Sequence, residues 1–427
     1  MYDCIIIGAG AAGLAAGRSL QDSGKQVVLV EARDRIGGRA WTDTTLSNIP
    51  LELGAEFIHG EHVITHALLK QAGMSALPAE RASHQQWFSP PVLHKLSALP
   101  QPLRDRWAEV ASAYAALGEQ PPQADCSLRD YLAQHTLTAR WDESLEQMAD
   151  VLLAQTCCAP LNGLSALDLA HEMQVDRAGK QEFRLEQGYS ALLDWYSRGL
   201  HIRLNTPVRT VHWQGEIGIT ADDRFIAAQC LLVTVPVAVL RSGTIQFDPP
   251  LPAFKQQAIE SFRTEPATKL IYHFRNQHWT EAMRYICHTG VAARWWTPGE
   301  GRVNAPAIIT AYLTADRARH IDLLEESEAL AMGLSELANL LNRPLPVLQA
   351  DLIQAKRVSW GTDPYALGGY AHLPPGHAVA RQRLADPVEK VLYFAGEATA
   401  HDTNPQTVHG AIESGLRAAR EIADRSA

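Results

Sequence analysis

No run in this 427-residue chain approaches the ~18 consecutive apolar residues of a membrane span. No basic n-region or cleavage site precedes the first apolar run, so no targeting segment is expected and a cytoplasmic location is. Cysteine is scarce. Cys4, Cys126, Cys157, Cys158, Cys230 and Cys287 lack the spacing of a disulfide framework and read as reduced, mostly buried thiols. The neighbours Cys157 and Cys158 could form a strained redox pair, but packing is the simpler use. Basic charge is short: 38 Lys and Arg against 47 Asp and Glu leave a net charge of −9. That argues against a nucleic-acid partner, which needs a basic face. No HExxH is present. His59, His62 and His66 share a helical face without a fourth ligand nearby, so no metal is expected. No Ser-His-Asp triad, paired-carboxylate site, internal repeat or low-complexity segment is visible. What is there suits a globular chain: 46% hydrophobic and 20% charged residues, at a length that exceeds one ordinary core. Two domains are expected.

The first thirteen residues carry the strongest signal. Tyr2-Asp3-Cys4-Ile5-Ile6-Ile7 is a short, β-branched apolar run ending in Gly8-Ala9-Gly10-Ala11-Ala12-Gly13, where a small-residue helix begins. A second apolar run, Val27-Val28-Leu29-Val30, ends on Glu31. Strand, glycine turn, helix, strand and acid in that order form a dinucleotide-binding fingerprint. Gly8 allows the tight turn, Gly10 lets backbone approach a pyrophosphate, and Gly13 lets helix and strand pack closely. The helix N-terminus offers free N–H groups and partial positive charge to phosphates. Glu31 stands where a carboxylate can accept from a ribose hydroxyl.

Beyond Glu31, the stretch Ala32-Arg33-Asp34-Arg35-Ile36-Gly37-Gly38-Arg39 adds a glycine pair and three arginines. The glycines allow a second backbone approach to the pyrophosphate, and the arginines can pair with phosphate oxygens. NAD-only domains seldom carry this extension, so FAD is favoured. The block resembles that of the flavin-containing amine oxidases, a family that includes monoamine oxidases, polyamine oxidases and lysine-specific histone demethylases. The resemblance runs almost end to end. Leu51-Glu52-Leu53-Gly54-Ala55-Glu56-Phe57-Ile58-His59-Gly60 is similar to the second flavin segment in its polyamine oxidase form. Gln187 to Leu192 and Leu204 to Val211 resemble the mid-chain return to the flavin domain. Val233-Thr234-Val235-Pro236 with Phe247 to Pro252 resembles the crossing into the substrate domain. Thr268-Lys269-Leu270 carries the family lysine, and Trp360 to Pro364 leads to Gly368-Gly369-Tyr370. Phe394-Ala395-Gly396-Glu397 and Thr407 to Gly415 close the flavin site. Residues from about 71 to 182 carry no recognisable motif.

The resemblance implies an α/β fold: a Rossmann-type FAD-binding domain interleaved with an α+β substrate domain. Residues 1–72, 200–241 and 386–427 would form the first, and residues 73–199 and 242–385 the second. It implies FAD held without a covalent bond, because Gly369 stands where monoamine oxidases carry the cysteine that bonds the flavin. Cofactor contacts fall on Gly8, Gly10, Ala12, Gly13, Glu31, Ala32, Arg33, Gly38, Arg39, Gly54, Ala55, Glu56, Phe57, Val208, Gly396, Glu397, Thr407 and Val408. Val208 would lie by the adenine. Lys269 would hold a water at flavin N5. Tyr370 would fill the first place of the aromatic pair around the amine. The second place falls on Thr407, as in the histone demethylases, which leaves the cage half open and suits an extended amine. His59, Glu61 and Trp360 are the expected substrate contacts, with Glu61 alternatively a solvated loop acid.

In this chemistry a hydride passes from an amine α-carbon to flavin N5, the iminium hydrolyses, and O2 takes the electrons to give H2O2. The protein must desolvate the amine toward its neutral form and hold the carbon in attack geometry. A polyamine or similar amine leads as substrate. An L-amino-acid oxidase of the same fold would need an arginine for the substrate carboxylate, with Arg177, Arg184 and Arg294 as candidates. A flavoprotein without oxidase turnover, such as a partner-dependent dehydrogenase or a binding protein, is the reading from a different class. Histone demethylation is disfavoured, because no chromatin-reading module or tower-like insertion fits this length.

Coarser patterning adds local expectations. Arg104 to Leu153 reads as largely helical, with Trp107, Val110, Ala111 and Tyr114 at helical spacing. Leu270 to Phe274, Arg284 to His288 and Ala307 to Leu313 read as strands, and Glu325 to Leu341 as an amphipathic helix stopped by Pro344 and Pro346. Asp222-Asp223 reads as a hairpin turn. Trp295-Trp296 reads as loop packing or as a cage for a cation.

Overall fold

The computed structural model describes residues 1–136, 141–280 and 283–425. Tyr2–Ile7 is a strand that pairs in parallel with Val27–Val30 on one side and with Arg224–Val233 on the other. Its side chains alternate between two cores. Cys4, Ile6, Val27 and Leu29 face one core, against the helices Ala11–Asp22 and Val408–Asp424. Ile5, Ile7, Val28 and Val30 face another. A parallel sheet covered on both faces needs apolar residues at every position, which is why these runs are unbroken.

Seven strands of this sheet run in the order Ile202–Arg203, Val27–Val30, Tyr2–Ile7, Arg224–Val233, Gly218–Ala221, Val208–His212, Gln246–Asp248, and Leu392–Phe394 pairs with Arg224–Val233 off that path. The start, middle and end of the chain therefore meet in one sheet. The helix Val408–Asp424 lies close on Ala11–Asp22, where a Cβ added at Gly415 would stand 2.2 Å from the Ala12 carbonyl oxygen.

A second sheet runs in the order Leu352–Ser359, Ala267–Phe274, Ala307–Thr314, Arg294–Trp296, Tyr285–Cys287, Gln85–Ser89, Val92–Lys95. The stretch expected to be largely helical is three helices, Leu103–Ala116, Leu128–His135 and Glu143–Leu152, with residues 137–140 outside the described residues. Pro121 and Pro122 cannot continue a helix. Ser127 and Asp142 restart it as N-caps, accepting from Asp130 N and Leu145 N.

Trp295-Trp296 is not loop. Arg294–Trp296 pairs on both sides, and alternation sends Trp295 into a core and Trp296 to the other face. Asp222 and Asp223, at φ +48° and +57°, make the turn between Gly218–Ala221 and Arg224–Val233. Among the described residues no helix is long and apolar enough to cross a membrane, and no cluster of three or more His, Cys, Asp or Glu could hold a metal ion.

Candidate active site

A single cavity of ≈830 Å3 runs from the first glycine turn to the face of the second sheet. At its start, Gly8 has φ +105° and Gly10 caps the helix Ala11–Asp22. A Cβ on Gly10 would meet nothing within 4 Å, so the backbone there is open to a ligand. Gly10 also bridges to Gly37, which brings the second glycine pair beside the first turn. Glu31 is buried; its carboxylate accepts from Ala9 N at 2.8 Å and Arg33 N at 2.9 Å. Glu397, also on the cavity wall, accepts from Arg39 at 3.1 Å, while its other oxygen, Oε2, is buried with no partner. An orphaned carboxylate oxygen, an open glycine turn and a helix N-terminus on one cavity fit a hydroxyl-bearing dinucleotide such as FAD.

The three arginines divide. Arg39 lines the cavity and also bonds the Gly369 carbonyl. Arg33 lines it too, but its guanidinium is held bidentately by Asp363 at 2.7 Å. Arg35 turns onto the Trp41 ring and the Gly38 carbonyl.

Lys269 lies on the strand Ala267–Phe274. Its cross-strand partner is Tyr312, whose own partner on the far side is Arg294. Directly paired residues share a face, so all three reach the same cavity wall. The Lys269 ammonium is buried and donates to the Glu52 carbonyl at 2.8 Å, the Gly54 carbonyl at 2.9 Å and Glu56 Oε2 at 3.0 Å. An ammonium has three N–H groups, and all three are engaged. Holding a water would require one of these contacts to open.

Glu56 also accepts from Arg184 Nε at 3.0 Å and Trp296 Nε1 at 2.8 Å. Burial acts to raise its pKa, but the Lys269 and Arg184 charges prevail and hold it below the ordinary glutamate value. Glu52 behaves oppositely, although the Lys269 charge also acts to lower its pKa. Burial pushes its pKa up to about 7, although Tyr189 N and the Thr42 hydroxyl donate to it. A raised carboxyl pKa contributes stability that is full below the unfolded value and is lost as pH rises through about 7. Glu52→Gln is therefore expected to lose less thermal stability than wild type between pH 5 and 8, read as melting midpoints at each pH. Equal slopes in the two proteins would contradict it.

Tyr370 and Tyr312 share a hydrogen bond at 2.9 Å between their hydroxyls, and Tyr370 also donates to the Thr156 carbonyl at 3.0 Å. Trp296 packs on Tyr312, and Trp360 is fixed by its indole N–H on the Leu53 carbonyl. Thr407 is on the wall as the N-cap of Val408–Asp424, accepting from Gly410 N at 2.9 Å.

His59 is on the wall, and strand pairing sets Glu182 opposite it. Glu182 bonds His59 Nδ1 at 2.9 Å and Arg81 at 2.8 Å. Burial acts against this carboxylate, but His59 and Arg81 hold its pKa down to about 2. Glu61, the acid expected beside His59, is not on the cavity wall; its carboxylate accepts from Gln181 N at 3.0 Å. Gly13 is also off the wall and acts in packing, since a Cβ there would stand 2.0 Å from the Gly8 carbonyl oxygen. The other expected cofactor residues all line the cavity. Sequence reasoning did not anticipate Tyr312, Arg81, Tyr114 or the helix Ala166–Val175. Leu169, Glu172, Met173 and Asp176 were a usable signal, because that spacing puts four residues on one helical face.

The family model described as flavin containing amine oxidoreductase matches residues 11–423. Polyamine oxidase 2 of Arabidopsis thaliana is 28% identical over 98% of this chain and 87% of its own length. Human lysine-specific histone demethylase 2 is 27% identical over 98% of this chain but only 53% of its own. Among solved structures, wild-type putrescine oxidase bound to putrescine aligns with a TM-score of 0.83 at 22% identity, covering 99% of each chain. Cyclohexylamine oxidase from Brevibacterium oxydans aligns with a TM-score of 0.83 at 20% identity, covering 100% of this chain and 99% of its own.

Proposed function

The chain belongs to the flavin-containing amine oxidoreductases, and from that premise we propose that it oxidises an extended amine or polyamine, with FAD held non-covalently and O2 reduced to H2O2. That it is an FAD-dependent amine oxidase follows from the family and its relatives. The finer reading rests on one observation. The cavity joins the glycine cradle to Lys269 and the aromatic wall, and then continues along the helix Ala166–Val175. A small monoamine would leave that extension unfilled.

Bound FAD supplies the two-electron acceptor for the hydride. The residues do the rest. Gly10, Glu31, Arg39 and Glu397 hold the dinucleotide. Lys269 and Glu56 fix the backbone between Glu52 and Glu56 beside the reacting end. Tyr370, Tyr312 and Trp296 exclude water and favour the neutral amine, since burial disfavours its charged form. Overall, one amine, one O2 and one water give a carbonyl compound, the released amine or ammonia, and one H2O2. The six cysteines are all free, which suits the reducing cytoplasm we propose as its location.

A second reading, L-amino-acid oxidation, draws on Arg294. Of the three candidate arginines it alone lines the cavity, and its Nε is buried without a partner. Arg184 is locked by Glu56 and Glu300, and Arg177 is exposed. Against this reading, Arg294 is already tied to the Val151 and Leu152 carbonyls.

A peroxide-coupled screen of polyamines, diamines, monoamines and amino acids tests both. Peroxide from di- or polyamines above matched monoamines is expected. Peroxide from amino acids alone would transfer the assignment to the second reading, and flavin bleaching without peroxide would make the protein a dehydrogenase. The cofactor's attachment has its own test. Gly369 offers no nucleophile, so acid precipitation should leave flavin in the supernatant; a yellow pellet would contradict this.

A further inference from the structure

We propose that Arg294 places an unneutralised positive charge at the reacting end of the cavity and so drives the amine bound there to give up its proton. This rests on the amine oxidase reading above and assigns the protonation state of the reacting nitrogen to one residue of this chain.

Strand pairing fixes where the charge lies. Arg294 is opposite Tyr312, and Tyr312 is opposite Lys269 on its other side. Neighbouring strands are about 4.8 Å apart, so the Arg294 and Lys269 backbones stand about 10 Å from each other with Tyr312 between them. All three line the cavity, and the Tyr312 hydroxyl shares its hydrogen bond with Tyr370 at 2.9 Å. Tyr312 is thus flanked by a cation on each neighbouring strand.

The two cations differ in their compensation. Lys269 shares Glu56 with Arg184, and Arg184 also holds Glu300. Arg81 is held by Glu182. Arg294 is buried and forms no ion pair among the described residues. Its Nη2 donates to the Val151 carbonyl at 2.7 Å and the Leu152 carbonyl at 3.0 Å, and its buried Nε has no partner. Those carbonyls end the helix Glu143–Leu152, and a helix C-terminus offers only about half an elementary charge. The other groups that face Arg294 do not offset the rest. Cys287 comes from the paired strand Tyr285–Cys287, and burial pushes its thiol pKa up. Burial likewise keeps the Tyr312 and Tyr370 phenols protonated. Arg81 adds charge of the same sign. Burial lowers the Arg294 pKa, yet a guanidinium remains charged throughout the range in which a protein stays folded.

A fixed cation acts on a bound amine in one direction. It raises the free energy of the ammonium form and leaves the neutral form nearly untouched, so the pKa of the amine falls. For a separation of about 7 Å and an effective dielectric constant of about 20, the fall is roughly one to two pH units. This adds to the desolvation by Tyr370, Tyr312 and Trp296. Hydride loss draws on the nitrogen lone pair, so the reactive fraction near neutrality grows with the shift.

The test is the pH dependence of anaerobic flavin reduction at saturating amine, followed by stopped-flow absorbance in wild type, Arg294→Gln and Arg294→Lys holoenzymes. Gln keeps an N–H donor for the helix carbonyls and loses the charge; Lys keeps the charge. Flavin absorbance and a melting curve check that each protein is loaded and folded. In wild type the rate should rise through a pKa below that of the free amine. In Arg294→Gln that pKa should move up by roughly one to two units, with a loss of about tenfold to a hundredfold in rate near neutral pH, and Arg294→Lys should restore both. Glu172 on the same cavity also titrates here, because burial pushes its carboxyl up to about 8. Fluorinated alkylamines of falling basicity separate the two, since the ionisation of the amine follows the series and that of an enzyme group stays fixed. A wild-type pKa that ignores the series, or one that is unmoved in folded Arg294→Gln, would overturn the proposal. A loss confined to amines that carry a carboxylate would also overturn it and make Arg294 a carboxylate contact. If no amine reduces the flavin, the oxidase reading fails separately. The pH profile of amine binding to the oxidised holoenzyme, read from flavin absorbance, then decides the matter: equal profiles in wild type and Arg294→Gln would refute the role of Arg294.

Discussion

Lys269→Met is expected to slow turnover about a hundredfold to a thousandfold while leaving FAD bound. Methionine keeps the length and apolar volume but removes the charge and all three donors. The cradle residues Gly10, Glu31 and Arg39 lie elsewhere on the wall and are untouched. A buried ammonium favours negative charge that builds on an acceptor beside it, and one such contact is commonly worth about 2.7–4 kcal/mol of transition-state stabilisation. The structure sharpens the experiment, because the ammonium is fully engaged by the Glu52 and Gly54 carbonyls and by Glu56. Lys269 thus either releases one contact to hold a water or acts through its charge and its grip on that backbone. Stopped-flow absorbance separates the half-reactions: anaerobic bleaching with amine, then recovery with O2. Wild-type rates in both would reduce Lys269 to a structural anchor and remove the main support for placing the reaction there.

What the sequence revealed and concealed follows from the range of the interactions. The first strand, glycine turn and helix were legible because their residues are consecutive. Positive φ at Gly8 and the absent Cβ at Gly13 are local demands that only glycine meets without strain. Lys269 was legible only through the family resemblance; by itself it reads as a strand-end lysine with its head in solvent. Its partners were not legible, since Glu56 lies 213 residues earlier. The acid beside His59 shows the same limit. Adjacency suggested Glu61, but pairing of Phe57–His59 with Glu182–Leu185 places Glu182 across from His59 and leaves Glu61 to cap Gln181. Tyr312 and Arg294 join Lys269 only through strand register, which no single segment encodes. The helix Ala166–Val175 lay in the stretch without motifs; its spacing marks a face, but only the fold sets that face on the cavity.

Glu56 links these distant pieces, and Glu56→Gln is expected to be the most destabilising of the conservative changes at the site. The amide keeps the shape and one acceptor oxygen, but it removes the negative charge on which Lys269, Arg184 and Trp296 converge. Arg184 retains Glu300 at 3.1 Å, whereas Lys269 retains only carbonyl oxygens. Removing one partner of a buried pair typically costs about 3–5 kcal/mol, because the remaining charge stays desolvated. With an unfolding entropy of about 2.1 cal/mol/K per residue, that corresponds to roughly 3–6 °C in the melting midpoint of the holoenzyme. The pH dependence carries the sign. The pKa of Glu56 is depressed in the folded protein, so its contribution is present above the ordinary glutamate value of 4.5 and is lost as pH falls through the folded value. The gap between wild type and Glu56→Gln should thus be widest near neutrality and close as the medium becomes acidic. A gap that stays constant with pH would mean that the amide fails through packing, and that the carboxylate's charge does not hold Lys269 and Arg184 in place.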